Sequence, residues 1–254
     1  MSPLITRLDG RTALVTGSTG GLGVAIASAL AAEGAFVIVS GRDKERGDAV
    51  VADIRSAGGT AEFVAADLGA GEDGARRLAE QATAAAGGRI DILVNNAAML
   101  LTPTPTAEIS EELLRDAFSV NVFAPFVLTG AIAPAMVQRG QGVIVNIGSI
   151  TGLRGSAGSA IYSANKAAIH SFTQSWADEF GPFGVRVNAV APGPIATERQ
   201  EQFAHHVAPM LARIPSRRMS TPAEVAAAVV FLTSDAAANI HGTVLGMDGG
   251  WAAV

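Results

Sequence analysis

The sequence predicts an α/β fold: one domain built as a doubly wound, parallel, seven-stranded sheet with helices on both faces. Short apolar runs rich in valine and isoleucine alternate along the chain with longer alanine-rich stretches of helical period. This alternation is typical of repeated βαβ units, whose parallel strands are buried on both faces. Hydrophobic residues make up 49% of the 254 residues and charged residues 16%. That balance excludes a disordered chain.

Each predicted strand is a short, mostly apolar run in which β-branched residues are common. The seven runs are Thr12–Thr16, Ala35–Ser40, Ala61–Ala65, Ile90–Asn95, Gly142–Ile147, Val185–Val190 and Thr243–Met247. Helical periodicity between the strands predicts helices. These are Leu22–Glu33, Lys44–Ala57, Glu72–Ala86, Glu111–Gln138, Ile161–Phe180 and Pro222–Leu232, with a further helix in Glu198–Ala212.

The domain organisation is predicted to be simple. No Pro/Gly/Ser-rich linker and no block of like charge divides the chain, so residues 1–254 are expected to form a single domain. Residues 193–218 are the exception to the regular alternation, because this region is long and contains Pro194, Pro209 and Pro215. Insertions of that length in α/β domains are often lids, and we expect a lid here.

The bulk composition excludes several classes of function. A net charge of -5 makes nucleic acid an unsuitable partner. The absence of cysteine excludes disulfides and thiolate sites, and a cytoplasmic location is the default expectation. Met1–Gly10 lacks the apolar stretch of a signal peptide, and no uninterrupted apolar run approaches about 18 residues, so no membrane partner is expected. His205 and His206 have no carboxylate cluster nearby, and no metal site is predicted.

A glycine-rich turn follows the first predicted strand. Its sequence is Thr16-Gly17-Ser18-Thr19-Gly20-Gly21-Leu22-Gly23, and a helical pattern begins at once. A dinucleotide pyrophosphate needs close backbone approach and free N–H groups at a helix N-terminus, and glycines permit both. The turn therefore predicts a Rossmann-type dinucleotide site. The alternative is a turn that only packs the helix against the strand.

A second constellation lies in the middle of the chain. Tyr162 stands thirteen residues after Ser149, and Lys166 follows four residues later. On a helix, that i,i+4 spacing places the phenol and the ammonium on one face. A free tyrosine has a pKa near ~10, and an adjacent cation is expected to lower it, which would make the phenol a usable acid or base. Taken singly, each of these residues is more often a surface or turn residue.

Together, the turn, the Tyr-x-x-x-Lys pair and the preceding serine resemble the short-chain dehydrogenase/reductase family in its compact form, over nearly the whole chain. The resemblance implies that Tyr162 gives a proton to a carbonyl oxygen, or takes one from an alcohol, as hydride moves to or from a nicotinamide. It implies that Ser149 holds the same oxygen, and that Lys166 bonds the nicotinamide ribose and lowers the tyrosine pKa. Asn121 corresponds to the asparagine whose helix kink holds a water in a relay to solvent.

The resemblance also implies a set of cofactor contacts along the carboxyl edge of the sheet. They are Gly17, Ser18, Thr19, Gly21, Leu22, Gly23, Arg42, Asp67, Leu68, Asn95, Ala97, Tyr162, Lys166, Pro192, Gly193, Ile195 and Thr197. Taken alone, Asp67 is more often a helix cap or a solvated turn residue. The family usually has glycine where Ala98 stands, so the backbone there either avoids positive φ or tolerates modest strain.

The end of the second predicted strand bears on the choice of cofactor. An acid at this place favours NAD, because it bonds the ribose hydroxyls and repels the NADP phosphate. By family register that place falls on Gly41, and Arg42 follows it. NADP(H) is therefore favoured, through a guanidinium on the phosphate. NAD(H) is the alternative, with Arg42 a solvated charge that Asp43 could neutralise.

We expect a metal-independent oxidoreductase that interconverts a small-molecule secondary alcohol and a ketone. The alternatives are a reductase of a carrier-bound 3-oxoacyl thioester and a non-enzymatic dinucleotide-binding sensor. The family likeness also implies a homotetramer. Candidate walls of the substrate pocket form an apolar set with one cation: Met99, Leu100, Leu101, Leu153, Arg154, Phe203 and Met210.

Overall fold

A computed structural model describes residues 7–197 and 210–254 of the chain. Within this part, seven strands form one parallel sheet in the order β3-β2-β1-β4-β5-β6-β7. The strands are β1 (Thr12–Val15), β2 (Phe36–Gly41), β3 (Thr60–Ala65), β4 (Ile92–Asn95), β5 (Gly142–Ile147), β6 (Val185–Pro192) and β7 (Val244–Met247). The predicted fold class is confirmed, and every predicted strand lies within two residues of its observed place.

The helices that connect the strands also follow the sequence pattern. They are α1 (Gly21–Ala32), α2 (Lys44–Ser56), α3 (Glu72–Ala85), α4 (Glu111–Phe118), α5 (Ala124–Arg139), α6 (Ala160–Phe180) and α7 (Pro222–Thr233). The helix predicted over Glu111–Gln138 is interrupted by a π-helical turn at Ser119–Phe123. Most of the helix predicted within Glu198–Ala212 lies outside the described residues, as do Phe203, His205, His206 and part of the predicted lid.

Two hydrophobic cores cover the two faces of the sheet. Successive strand residues alternate between them, so that Val15 belongs to one core and Leu14 to the other. Helices α1, α2 and α7 supply the first core, and helices α3, α5 and α6 supply the second. Because the central strands are covered on both faces, the polar loops that follow them come together only at the two ends of the strands.

The strand order positions the candidate site. It reverses at β1, which lies between β2 and β4. In open parallel sheets, ligands bind outside the carboxyl ends of the strands, where such a reversal opens a crevice. The glycine-rich turn follows β1, Asn95 ends β4, Ser149 follows β5 and Pro192 ends β6. The predicted site residues therefore lie together at the carboxyl ends of the strands.

One stretch of the described chain, Glu111–Arg139, is long and apolar enough to cross a membrane by length and composition, with a hydropathy of 1.8. Half of its most apolar window is buried inside the protein. Leu128, Ile132 and Met136 from this stretch pack in the second core. Packing against the sheet therefore accounts for much of its apolar character.

Candidate active site

The turn after β1 is bound to the loop after β4. The Thr16 hydroxyl oxygen accepts hydrogen bonds from the backbone N–H groups of Asn96 and Ala97, both at 3.0 Å. In return, the Asn96 side-chain amide donates to the carbonyl oxygens of Thr16 (2.8 Å) and Gly17 (3.1 Å). These bonds fix the glycine-rich turn above the point where the strand order reverses.

Glycine is required at two positions of this turn. A Cβ at Gly17, where φ is 63°, would lie 2.7 Å from the Cα of Ala97. A Cβ at Gly23 would lie 2.3 Å from the carbonyl oxygen of Gly17. At Gly20, by contrast, an added Cβ would meet nothing within 4 Å. The turn is therefore tight against the protein and open toward the crevice.

Helix α1 begins at this turn without a side-chain cap and with no acid in its first turn. The first N–H groups of a helix have no partner inside the helix, and they carry its partial positive charge. Thr197, from the segment after β6, closes the other side, since its methyl carbon would lie 3.9 Å from a Cβ on Gly21. The geometry fits the pyrophosphate of a dinucleotide.

Several predicted cofactor contacts already have partners within the protein. The buried Ser18 hydroxyl donates to the carbonyl oxygen of Val15 at 2.7 Å and accepts from the N–H of Ser40 at 2.9 Å. Asp67 accepts from the N–H of Gly69 at 2.9 Å and caps a short 3-10 turn. The Asn95 amide is buried. The backbone N–H of Ser18 also donates within the protein, to the carbonyl oxygen of Ser40 at 2.9 Å. The roles of these residues toward a cofactor stay predictions.

The remaining predicted contacts lie on or near the core. Leu22 packs against the first core and Leu68 belongs to the second. Gly193 donates its N–H to the carbonyl oxygen of Met247 at 3.1 Å, and Ile195 pairs with Ser220 in an isolated bridge. Together these bonds anchor the segment after β6. Ala98 is not among the described non-glycine residues with positive φ, so its backbone carries no such strain.

At the end of β2, a side chain at position 41 would require Thr19 to move. A Cβ on Gly41 would lie 2.6 Å from the Thr19 hydroxyl oxygen. Arg42 is exposed, and the described part of the chain offers it no hydrogen bond or ion pair. Asp43 does not neutralise Arg42, because its carboxylate caps α2 and pairs with Arg46 at 3.3 Å.

The hydroxyl of Ser149 is oriented by its own loop. Ser149 caps the 3-10 turn Ile150–Gly152, and its oxygen accepts a hydrogen bond from the N–H of Thr151 at 3.2 Å. The Thr151 hydroxyl lies 2.9 Å from the same oxygen. With these contacts made, the Ser149 proton can be donated elsewhere, and the interaction of this hydroxyl with Tyr162 favours the phenolate by lowering the pKa of Tyr162.

Lys166 lies one turn after Tyr162 on α6, on the same helix face as predicted. Its ammonium nitrogen is 5.7 Å from the centroid of the Tyr162 ring and donates to the carbonyl oxygen of Ile147 at 2.7 Å. Lys166 is only 3% exposed. The phenol, the ammonium and Ser149 thus converge at the end of β5.

The electrostatics of this pair differ from the prediction. Burial raises the pKa of Tyr162 to about 12, although the hydrogen bond with Ser149 opposes the rise. Burial also lowers the pKa of Lys166 to about 8. The predicted lowering of the tyrosine pKa is therefore contradicted, because the cost of removing a phenolate from water outweighs the interaction with Ser149, which is the one lowering cause.

Asn121 lies in the π-helical turn between α4 and α5, which confirms the kink implied for this residue. Its side chain accepts from the N–H of Met99 at 2.7 Å and donates to the carbonyl oxygen of Met99 at 3.0 Å. It also donates to the side-chain oxygen of Asn165 at 3.1 Å. The wider turn directs Asn121 inward and ties the loop after β4 to α6. The water relay itself stays a prediction.

Sequence reasoning missed His170. This residue is 5% exposed, and its Nε2 accepts a long hydrogen bond, 3.4 Å, from the N–H of Ser149. A Cβ at Gly148 would lie 2.2 Å from that nitrogen, so glycine lets the imidazole approach the loop. Burial and the charge of Lys166 lower the pKa of His170 to about 4. The signal was available, because position 170 continues the i,i+4 series of Tyr162 and Lys166.

A buried polar chain beneath the site was also missed. The Asn95 amide donates to the side-chain oxygen of Asn146 at 2.9 Å. The Asn146 amide in turn donates to the Thr173 hydroxyl at 2.9 Å, and that hydroxyl donates to the carbonyl oxygen of Ile169. The chain connects the ends of β4 and β5 to α6, so the helix that carries Tyr162 and Lys166 is fixed relative to the sheet.

The sequence is similar to proteins whose activities have been named. A family model described as short chain dehydrogenase matches residues 11–208. The cyclopentanol dehydrogenase of Comamonas sp. is 39% identical over 252 residues, which is 97% of this chain and 99% of that protein. The 3-oxoacyl-[acyl-carrier-protein] reductase of Synechocystis sp. is 40% identical over 248 residues, covering 97% of this chain and 98% of that protein.

Solved structures agree with the sequence comparison. A candidate NAD(P)-dependent gluconate 5-dehydrogenase from Beutenbergia cavernae, with NADP bound at low occupancy, superposes with a TM-score of 0.92 at 40% identity. The superposition covers 98% of this chain and 99% of that one. Because the likeness runs through fold and sequence over almost the full length of each relative, the chain is an oxidoreductase of the short-chain dehydrogenase/reductase family.

Proposed function

We propose that the protein is an NADP-preferring oxidoreductase that interconverts a secondary alcohol and a ketone. The observation that carries this proposal is the convergence of Ser149, Tyr162 and Lys166 at the end of β5, at the same sheet edge as the uncapped N-terminus of α1. One part can hold a dinucleotide and the other can move a proton. Both are needed for hydride transfer to or from a carbon that bears oxygen.

The bound nicotinamide supplies or accepts the hydride. During reduction, the Tyr162 phenol gives its proton to the carbonyl oxygen, and Ser149 donates a hydrogen bond to the same oxygen. The raised pKa of Tyr162, about 12, keeps the phenol protonated and ready to donate at neutral pH. The Lys166 ammonium then stabilises the phenolate that remains, since two opposite buried charges favour each other. During oxidation the phenolate accepts the proton of the alcohol.

The preference for NADP is supported by the end of β2. Position 41, where an acidic side chain would select NAD, is glycine, and a side chain there would require Thr19 to move. Arg42 is exposed, and Asp43 is occupied by Arg46. A guanidinium in this position can pair with a 2'-phosphate. The related Beutenbergia structure was solved with NADP bound, which is consistent with this choice.

A second candidate substrate is a carrier-bound 3-oxoacyl thioester. It is favoured by the similarity to the Synechocystis reductase, whose name gives that activity. The two candidates require the same Ser149, Tyr162 and Lys166 chemistry and differ only in what fills the substrate side. A non-enzymatic sensor is less well supported, because binding a dinucleotide needs no proton-transfer group.

The proposed assembly is a homotetramer formed through α5 and α6. Phe126 is 52% exposed and contacts the rings of Phe172 and Trp176, at centroid distances of 5.3 and 5.9 Å. Phe123, at the end of the π-helical turn before α5, is 58% exposed. Exposed aromatic clusters of this kind favour association. Light scattering should give the mass of a tetramer, and the mass of a monomer would contradict the proposal.

The decisive experiment follows the absorbance of the reduced nicotinamide with the purified protein. Secondary alcohols are offered with NADP or NAD, and ketones and 3-oxoacyl thioesters with the reduced cofactors. We expect turnover of free alcohols and ketones, faster with NADP(H). Turnover of thioesters alone would favour the second candidate, and no hydride transfer with any pair would overturn the proposed function.

A further inference from the structure

A cavity of about 310 Å³ lies on the substrate side of the sheet edge. Its walls come from the loop after β5, which contributes Thr151 and Arg154, from Arg213 after β6, and from Trp251 after β7. These are three adjacent strands on the side of the sheet away from β2 and β3. Sequence reasoning named Arg154 as a wall residue and missed the second arginine.

The cavity is next to the reacting centre. Thr151, one of its lining residues, donates its N–H to the Ser149 hydroxyl oxygen at 3.2 Å. A substrate whose oxygen bonds to the Ser149 hydroxyl could therefore extend toward the cavity, because Thr151 contacts Ser149 and also lines the cavity. The cavity therefore adjoins the loop that carries Ser149, while Ser149 itself is not one of the lining residues.

Arg154 is held in a fixed orientation. Its Nη1 donates to the backbone carbonyl oxygen of Trp251 and to a terminal carboxylate oxygen of Val254, the latter at 2.6 Å, so part of the charge of Arg154 is offset within the chain. Within the described residues the guanidinium makes no other hydrogen bond, so its Nε–Nη2 edge is available to a ligand. That edge presents two parallel N–H groups, the geometry that matches a carboxylate.

Arg213 has a positive charge that nothing in the described chain neutralises. Some arginines of the described part pair with acids, as Arg218 does with Glu224 at 2.7 Å and Arg11 with Asp235 at 2.5 Å, and others, such as Arg42, do not. Arg213 has no such pair within residues 7–197 and 210–254, and the residues that line the cavity include no acid. The only formal charges on the described walls are therefore two guanidinium groups.

We propose that this cavity binds a carboxylate at the far end of the substrate, so that the preferred substrates are hydroxy acids and the matching oxo acids. The inference rests on the proposed function, because it extends the substrate of the same Ser149 and Tyr162 centre. Arg154 supplies two N–H groups in a fixed orientation, and Arg213 supplies a second positive charge. Charged groups placed in this way select the substrate that carries the complementary charge.

The test compares acids with their carboxamides, which have nearly the same shape and no charge. We would measure kcat/KM for oxidation of 3-hydroxybutanoate, 4-hydroxypentanoate and 5-hydroxyhexanoate, each beside its carboxamide. At the best chain length the acid should exceed the amide by about 10- to 100-fold, the range expected for hydrogen bonds to a charged group. An equal rate for acid and amide at all three lengths would overturn the proposal.

Substitutions test whether Arg213 causes the preference for the acid over the amide. Arg213→Gln should reduce the preference for the acid by about 10-fold, mainly through KM. Arg217→Gln is the matched control, because Arg217 is an exposed arginine of the same segment that does not line the cavity. It should keep the preference. If Arg213→Gln kept the preference, or Arg217→Gln lost it equally, the assignment of the cavity would be wrong.

Inhibition by a compound that cannot itself be oxidised separates the two proposals. Hexanoate, which has no hydroxyl group to oxidise, should compete with a neutral alcohol substrate in the wild-type protein, and hexanamide should compete about 10-fold more weakly. Oxidation of neutral alcohols with no discrimination between hexanoate and hexanamide would overturn the cavity proposal and leave the proposed function intact. Absence of any hydride transfer would instead overturn the proposed function.

Discussion

The two halves of the sheet edge prepare for ligands in opposite ways. The half around β1 and β2 has glycine at positions that allow close packing of the backbone. At Gly17, Gly23 and Gly41 an added Cβ would collide with neighbouring atoms. The half around β5 and β6 instead fills its space with buried polar side chains, including Asn146, Lys166 and His170. In the proposed function, the first half recognises the cofactor with backbone groups and Arg42, and the second half acts with buried side chains.

This difference separates binding from chemistry. Backbone N–H groups at a helix N-terminus do not titrate, so the capacity of the β1 half to hold a phosphate should not depend on the ionisation of protein groups there. Titratable groups in the β5 half depend on burial, which raises the pKa of Tyr162 to about 12 and lowers those of Lys166 and His170 to about 8 and about 4. Changes in the two halves should therefore have different consequences.

The largest expected effect is confined to the catalytic half. Tyr162→Phe removes the proton donor and keeps the ring, so kcat should fall about 10²- to 10⁴-fold, the usual contribution of general acid–base catalysis. The dissociation constant of the cofactor should change by less than about 2-fold, since the glycine-rich turn is untouched. Steady-state kinetics and fluorescence titration measure the two quantities. Unchanged turnover would remove Tyr162 from the mechanism.

The second effect tests burial in the same half. The pKa of His170 is about 4 in the folded protein and near 6.5 when exposed, so the unfolded chain binds more protons between these values. The free energy of unfolding should therefore fall as pH decreases from about 6.5 to about 4, by roughly 3 kcal/mol in total from this group, and it should be unaffected by this group above that window.

His170→Gln provides the comparison, because it keeps a hydrogen-bond acceptor and cannot titrate. Urea unfolding at pH 4.5 and pH 7.5 should show a smaller difference in the variant than in the wild type. If both proteins lost the same stability on acidification, the imidazole would not be responsible.

The third effect belongs to the cofactor half. Gly23→Ala places a Cβ 2.3 Å from the Gly17 carbonyl oxygen, so the turn must move. Overpacking of this kind costs about 1–3 kcal/mol of unfolding free energy, and we expect cofactor affinity to fall with it. The matched control is Gly20→Ala, whose Cβ meets nothing within 4 Å and whose φ of -171° suits any residue. Equal destabilisation by both substitutions would show that the collision is not the cause.

The smallest effect should be selective. Arg42→Ala should weaken NADP by about 10-fold through loss of a charge-assisted contact, and leave NAD nearly unchanged. Arg46→Ala is the control, since Arg46 is a nearby exposed arginine that pairs with Asp43. Titration with each cofactor measures the difference. Equal weakening of NAD and NADP would mean that Arg42 has a structural role.

Local signals explain how much of the site could be predicted. The glycine-rich turn could be predicted because its glycines are close together in the sequence. The proximity of Tyr162 and Lys166 could be predicted because a helix has a fixed period. The kink at Asn121 was implied by the family likeness and confirmed. Arg213 and the Asn95–Asn146–Thr173 chain were missed, because their partners are distant in the sequence and give no local pattern.

The amino-acid sequence by itself determined the parallel sheet, the order of its elements and the identity of the residues at its carboxyl edge, because periodicity and glycine spacing are properties of neighbouring residues. Only the tertiary structure decided the acidity of those residues. The pKa of Tyr162 rises to about 12 because surrounding elements remove water from the site, whereas its spacing to Lys166 alone predicted a fall. Desolvation depends on all the chain segments packed around a group, and no local pattern records it.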